Sequence, residues 1–290
     1  MADNSRAINR VFTRGVISDL IVNGTNEVFD YVVREYIDEP ESKTHGEIIS
    51  EIYLYLNKQK RNEYFYVNTL LNRLLVGIHS VNTTTALSQV RIAHRIADFV
   101  MINGEGRAYE IKTPLDNFDR LSDQLKDYFK AFSKVSLLTS SPNEFEKVVA
   151  RLDQLGDMGE AVGVYHMNDE DIYFNRSYRR NPKQFNEYLE HHCVFKLLRK
   201  NEYESIIKNC FNELPCTEPV FYFKTCLAMF EQIPILVAQD LAFKELKKRN
   251  KITKIEFNMI PDELKSVIYF SNLSSKMPQL MQLLETNYRR

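Results

Sequence analysis

The sequence predicts an α/β core of the α+β kind with a helical C-terminal extension, on three observations. Apolar residues recur at helical spacing over roughly the first eighty positions. Short runs with strand character then cluster between about residues 87 and 174. From Pro182 to the end the pattern is helical again, broken near Pro215, Pro219, Pro261 and Pro278.

The elements follow in order. Ile8, Val11, Phe12, Val16 and Leu20 share a helical face that breaks at Asn23-Gly24-Thr25, and Val28, Tyr31, Val32 and Tyr36 begin another. After the polar turn around Pro40, Thr44 with Glu47 three residues on has the form of a capping box. Ile48, Ile52, Tyr55 and Leu56 continue that helix, and Leu70, Leu71, Leu74 and Leu75 mark the next. Strands are predicted near 87–92, over 96–102 and over 107–112, the last two joined by Asn103-Gly104-Glu105-Gly106. A helix is expected to open at Asp116 and Asp119 and run to about Phe132, followed by a buried strand over 135–139. Ser141-Pro142-Asn143-Glu144 reads as a helix start, with strands following near 162–166 and 172–174. The division expected is an N-terminal helical segment over 1–43, a core over 44–178 and a helical region over 179–290.

At 290 residues the chain is long enough for one large domain or two ordinary ones. Hydrophobic residues at 44% and charged residues at 27% are ordinary for a globular protein. No stretch approaches the roughly 18 apolar residues of a membrane span, and no apolar run follows the opening Met-Ala-Asp-Asn-Ser-Arg, so a cytoplasmic protein without membrane contact is expected. A net charge of −1 supplies no global field for a polyanion, which would need local basic patches. The four cysteines lack a C-x-x-C spacing and are expected to be buried and reduced.

The chemistry concentrates in residues 95–132. If Gly104 centres the hairpin, residue 98 lies opposite residue 110, and Asp98, Glu110 and Lys112 share one face. Phe99, Met101, Tyr109 and Ile111 then take the other face, expected to lie against the core; a slip of one residue would separate the two acids. Two carboxylates about 4.5–5.5 Å apart at Cβ repel unless a cation lies between them. Oxygen ligation of this sort suits Mg2+ or Mn2+, and Lys112 reaches the same place. On the following helix Gln124 lies one turn from Leu121 and from Tyr128, at the edge of the apolar stripe.

Asp98, then Glu110-Ile111-Lys112, then Gln124-x-x-x-Tyr128 resembles the PD-(D/E)XK nuclease superfamily, and among its members the RecB type with a Gln-x-x-x-Tyr helix. The run YEIKTPLDNFDRL with the later VSLLT is similar to a compact bacterial branch of uncharacterised nuclease-like proteins, over roughly residues 45–200. The resemblance implies a restriction-endonuclease-like core, a mixed central sheet flanked by helices. It implies Asp98, Glu110 and Ile111 as metal ligands, Lys112 as the catalytic lysine, and Gln124 and Tyr128 supporting the site or touching substrate. Ala97 stands where the family often has proline. The family's usual helical glutamate has three candidates, Glu47, Glu51 and Glu63, with Glu51 preferred because Glu47 serves the cap.

The function implied is Mg2+- or Mn2+-dependent hydrolysis of DNA phosphodiesters, with RNA left open, in defence, repair or mobile-element biology. The alternative is a catalytically silent nuclease fold that binds nucleic acid or assembles with protein, the C-terminal helices offering the partner surface. Arg176, Arg179 and Arg180, interleaved with Tyr178, read either as a solvated loop or as a phosphate grip. Lys244, Lys247, Lys248 and Arg249 read as a solvated helix end, and His191-His192-Cys193 as a satisfied helix face.

Overall fold

In the computed structural model, residues 4–59, 62–112, 118–167, 174–250 and 252–289 are described. They form two compact units, one of residues 1–82 with 252–290, the other of residues 83–251. The expected boundaries at 43/44 and 178/179 fall inside these units, and the last forty or so residues rejoin the first eighty.

The first unit is helical. It holds α1 (Asn4–Arg10), α2 (Arg14–Asn23), α3 (Glu27–Tyr36), α4 (His45–Gln59) and α5 (Glu63–Asn72), the last continued by a π-helical stretch Arg73–Ile78. The expected capping box is present: the Glu47 carboxylate accepts the Thr44 N–H at 2.8 Å, and Thr44 Oγ1 accepts the Glu47 N–H at 3.2 Å. The C-terminal tail pairs with the entry to α4. His45 N–H donates to the Thr286 carbonyl at 3.0 Å, and Tyr288 N–H donates to that of Lys43 at 2.9 Å. Gly46 permits this approach, since a Cβ there would meet the Leu284 carbonyl oxygen at 2.9 Å.

The second unit carries a mixed sheet of β1 (Thr85–Ile92), β2 (Arg95–Asn103), β3 (Glu105–Lys112), β4 (Lys134–Thr139), β5 (Gly163–Met167) and β6 (Phe174–Arg180), in that spatial order. The β3–β4 and β4–β5 pairs are parallel and the rest antiparallel. Each parallel pair needs a crossover: α6 (Leu121–Phe129) links β3 to β4, and α7 (Pro142–Asp153) with α8 (Gly156–Ala161) links β4 to β5. Ser141 caps α7 through its side chain as expected. Helices α9 (His191–Phe195), α10 (Lys200–Phe211), α11 (Pro219–Phe230) and α12 (Ile235–Lys247) follow; α13 (Lys254–Met259), α14 (Lys265–Phe270) and α15 (Met277–Glu285) belong to the first unit.

Several expectations are corrected. Helix α6 starts at Leu121 after Arg120, with no side-chain cap, and stops at Phe129; Asp116 lies outside the described residues. Residues 174–180 form an edge strand rather than a solvated loop, because Arg180 and Arg179 pair with Val164 and Tyr165. The core takes in the expected side of the hairpin and the other side as well. Val100, Ile102 and Ala108, which share Asp98's face by parity, join Leu125, Tyr128 and Phe132 in one cluster. Phe99, Met101, Tyr109 and Ile111 are buried too. The sheet is covered on both faces, as sheets with parallel strands are. Gly106 admits α12 to this core, since a Cβ there would overlap the Phe243 ring, which stacks on Phe132 at 5.4 Å.

Candidate metal centre at a forked strand pair

The β2–β3 hairpin has the predicted register. Phe99 faces Tyr109, Val100 faces Ala108 and Met101 faces Arg107, each pair equidistant from Gly104, whose φ of 73° is the left-handed turn that glycine adopts without strain. Pairing between β2 and β3 stops at Phe99 and Tyr109. Beyond it β3 continues beside β4, Glu110 against Leu137 and Lys112 against Thr139, while β2 stays with β1 through Ala97 and Val90. The sheet therefore forks at Asp98 and Glu110.

The Asp98 carboxylate takes over the backbone donor freed by the fork: its Oδ2 accepts the Ile111 N–H at 2.8 Å. The β1–β2 register passes from Ser88–Phe99 to Val90–Ala97 without pairing Gln89 and Asp98, and Gln89 has φ 51°. A left-handed residue that is not glycine costs on the order of 1–3 kcal/mol, and such strain gathers at functional sites.

Glu110 is the hub. Its Oε1 accepts from Lys112 Nζ at 2.9 Å and from Gln124 Nε2 at 2.9 Å, and Lys112 Nζ also donates to Gln124 Oε1 at 3.0 Å. The Tyr128 hydroxyl lies 2.5 Å from Glu110 Oε2 and 2.8 Å from the Ile96 carbonyl oxygen, two acceptors for one proton. Burial pushes the Tyr128 phenol far above its ordinary range, and the negative charges of Glu110 and then Asp98 add to the rise. Glu110 and Lys112 are 6% and 4% exposed, so the pair lies out of bulk water and its interactions are weakly screened. Helix α6 brings Gln124 and Tyr128 there because Leu121, Leu125 and Phe129 bury its adjoining face.

The donor set is oxygen: the Asp98 and Glu110 carboxylates and the Ile111 carbonyl, at the strand position between Glu110 and Lys112. Among the described residues no group of three or more His, Cys, Asp or Glu side chains is placed to hold a metal. A hard ion such as Mg2+ needs only one or two carboxylates, since water and substrate phosphate fill its other positions, so the residues fit such an ion.

The remaining predicted residues lie elsewhere. Glu51 belongs to the other unit, where it pairs with Lys43 at 2.9 Å. Glu47 is engaged in its cap, and Glu63 is the first residue of α5, also in that unit. Arg180 leaves the proposed phosphate grip: it donates to the Val162 carbonyl at 3.0 Å, to that of Gly159, and to Asp153 at 3.0 Å. Arg179 is exposed, bonded to Asn181 at 2.8 Å, with its guanidinium over the Tyr165 ring; the Arg176 side chain lies outside the described residues. Lys244, Lys248 and Arg249 pair with Asp240, Glu245 and Glu202. Cys193 and Cys226 are buried, but Cys210 and Cys216 are exposed, which corrects half of the thiol expectation. Arg95, given no role from the sequence, opens β2 opposite Ile92, three positions before Asp98.

No helix among the described residues is long and apolar enough to cross a membrane. The family model described as Bacteriophage P4 protein cII matches residues 57–266, and the chain belongs to that family. Compared with curated proteins and with solved structures, the chain matches none.

Proposed function

We propose that this member of the bacteriophage P4 protein cII family is a Mg2+- or Mn2+-dependent phosphodiesterase that hydrolyses DNA in the cytoplasm, and that its second unit is related to the PD-(D/E)XK nucleases. The carrying observation is the fork, where Asp98, Glu110 and Lys112 meet Gln124 and Tyr128 of α6. The Asp98 and Glu110 carboxylates with the Ile111 carbonyl would hold the ion. When bound, the ion supplies Lewis acidity at a phosphoryl oxygen and a bound water of lowered pKa. The protein does the rest by placement. Tyr128 and Gln124 fix the Glu110 carboxylate, and Gln124 holds the Lys112 ammonium beside it, so one cation is preorganised for charge developing on the phosphate. A family named for a bacteriophage protein is in keeping with mobile-element biology.

One observation favours a second reading, a silent nuclease fold that binds nucleic acid. Lys112 is closed into bonds with Glu110 and Gln124 and is nearly inaccessible, so the network is satisfied without substrate. Incubation of plasmid, single-stranded DNA and RNA with the purified chain and Mn2+ separates the readings. Cleavage by wild type that is lost in Lys112→Met and Glu110→Gln supports the enzyme. Equal background in all three proteins leaves the binding module.

A further inference from the structure

Helix α6 carries a second polar stripe. Asp123, Lys126, Asp127 and Lys130 follow one another at i, i+3, i+4 and i+7, off the side that bears Gln124 and Tyr128. With His94 from the β1–β2 turn, Arg95 at the start of β2 and residues 187–190, they line a cavity of about 650 Å3. That volume falls within the roughly 300–1,000 Å3 of small-molecule sites.

The charges of this cavity are only partly settled within the protein. Lys130 is matched by Asp127 at 3.2 Å and Glu190 at 3.8 Å, and Asp127 also accepts the His94 N–H at 3.3 Å. Among the described residues Arg95, Lys126, Asp123 and Glu187 have no ion-pair or hydrogen-bond partner for their side chains. Tyr188 presents a ring that is 37% exposed and is set edge-on to Phe185 at 5.3 Å. Two cations, two acids and an open aromatic face are thus left over. Asp123, Lys126 and Glu187 are exposed and solvated, and Arg95 is half-buried, so a bare anion would meet the acids and an apolar compound would use none of the four charges. A nucleotide answers each: phosphate for Arg95 and Lys126, base N–H and sugar O–H groups for Asp123 and Glu187, and a π face for Tyr188.

We infer that this cavity binds a nucleotide, either free or as the phosphorylated end of a strand. None of the fork residues Asp98, Glu110, Lys112, Gln124 and Tyr128 lines this cavity, which shares with the fork only the helix α6 and the strand β2. Binding there needs neither metal nor turnover, so it stands or falls apart from hydrolysis at the fork.

Isothermal titration calorimetry of the full chain in EDTA tests it, with dAMP, deoxyadenosine, and a DNA hexamer with and without a 5′-phosphate as probes. The expected result is saturable dAMP binding that weakens about tenfold for deoxyadenosine and about tenfold in Arg95→Gln, the scale of a charge-assisted contact. Lys126→Gln, on an exposed helix face, is expected to weaken dAMP severalfold at an unchanged melting temperature, and decides the matter should Arg95→Gln fail to fold. Tighter binding of the phosphorylated hexamer than of dAMP supports the inference with a strand end as ligand; the reverse order supports it with the free nucleotide. Absence of binding by dAMP and by the phosphorylated hexamer at millimolar concentration overturns it. So does deoxyadenosine binding as well as dAMP, or wild-type affinity in the folded variants.

Discussion

Half-buried Arg249 with buried Glu202 forms one acid–base network in the second unit, and Lys112 with Glu110, both buried, forms another, yet they differ in what surrounds them. Arg249 grips both oxygens of Glu202, at 2.7 and 2.5 Å, and donates to the Leu197 carbonyl at 2.8 Å, while Glu202 accepts the Arg199 N–H at 2.7 Å. The Arg249–Glu202 bonds tie the end of α12 to the start of α10, the Leu197 bond ties it to the segment before α10, and the Arg199 bond caps α10 itself, all structural tasks. Glu110 instead meets a lysine, an amide and a phenol on a forked strand pair, where a second carboxylate and a left-handed Gln89 converge. Burial of a salt bridge therefore does not mark a site; convergence of more polar groups than the fold requires does.

The sharpest way to break the comparison is at its structural pole. Arg249→Ala leaves a buried carboxylate without its partner and is expected to cost about 3–5 kcal/mol in urea unfolding while leaving Mn2+ binding intact. Lys112→Met, of similar length and without charge, is expected to lower cleavage about 10²–10³-fold, the scale of one removed transition-state donor. A rate within a fewfold of wild type would put Lys112 with Arg249 as a structural cation. Tyr128→Phe removes one hydroxyl from Glu110 and the Ile96 carbonyl and is expected to cost about 1–3 kcal/mol of stability.

The pH dependence separates the poles further. Burial pushes the Glu202 carboxyl up, but the Arg249 hydrogen bond, the Arg199 N–H and the charges of both arginines outweigh it, so its pKa lies below the ordinary 4.5. The native state then binds this proton less tightly than the unfolded chain. The stability Glu202 contributes is complete above about 4.5 and is lost as pH falls through the lower folded value. Urea midpoints measured from pH 6 to pH 3 are expected to fall more steeply for wild type than for Glu202→Gln. The smallest effect is expected at Gln89→Gly: relief of the left-handed strain, partly offset by glycine's backbone entropy, leaves a net gain of about 1 kcal/mol, while the looser fork lowers Mn2+ affinity.

Local chemistry made much of this legible. The Gly104 turn with alternating side chains specified the hairpin register, and hence the shared face of Asp98 and Glu110. Thr44 with Glu47 and Ser141 with Pro142 marked helix starts because caps are short-range devices. The spacing of Gln124 and Tyr128 placed both beside Glu110. What escaped depended on partners far along the chain. Nothing near Tyr288 signals that its N–H will find the Lys43 carbonyl, so the return of the tail to the first unit could not be read. The arginines of 176–180 looked like a loop because their strand pairing with β5 is set by the sheet. The side with Phe99, Met101, Tyr109 and Ile111 is buried as expected; that the Asp98 side is buried as well was not legible, because its two acids and lysine read as a polar face.

The central claim is that the fork is a centre for a hard divalent cation. Mn2+ titration of the full chain followed by electron paramagnetic resonance tests it most directly, with Asp98→Asn alongside. The account predicts that one equivalent of Mn2+ leaves the free-ion signal in the wild type and that Asp98→Asn weakens this uptake about tenfold or more, as expected for loss of one of two ligating carboxylates. A free-ion signal undiminished up to millimolar Mn2+, or equal uptake by folded Asp98→Asn, would contradict it.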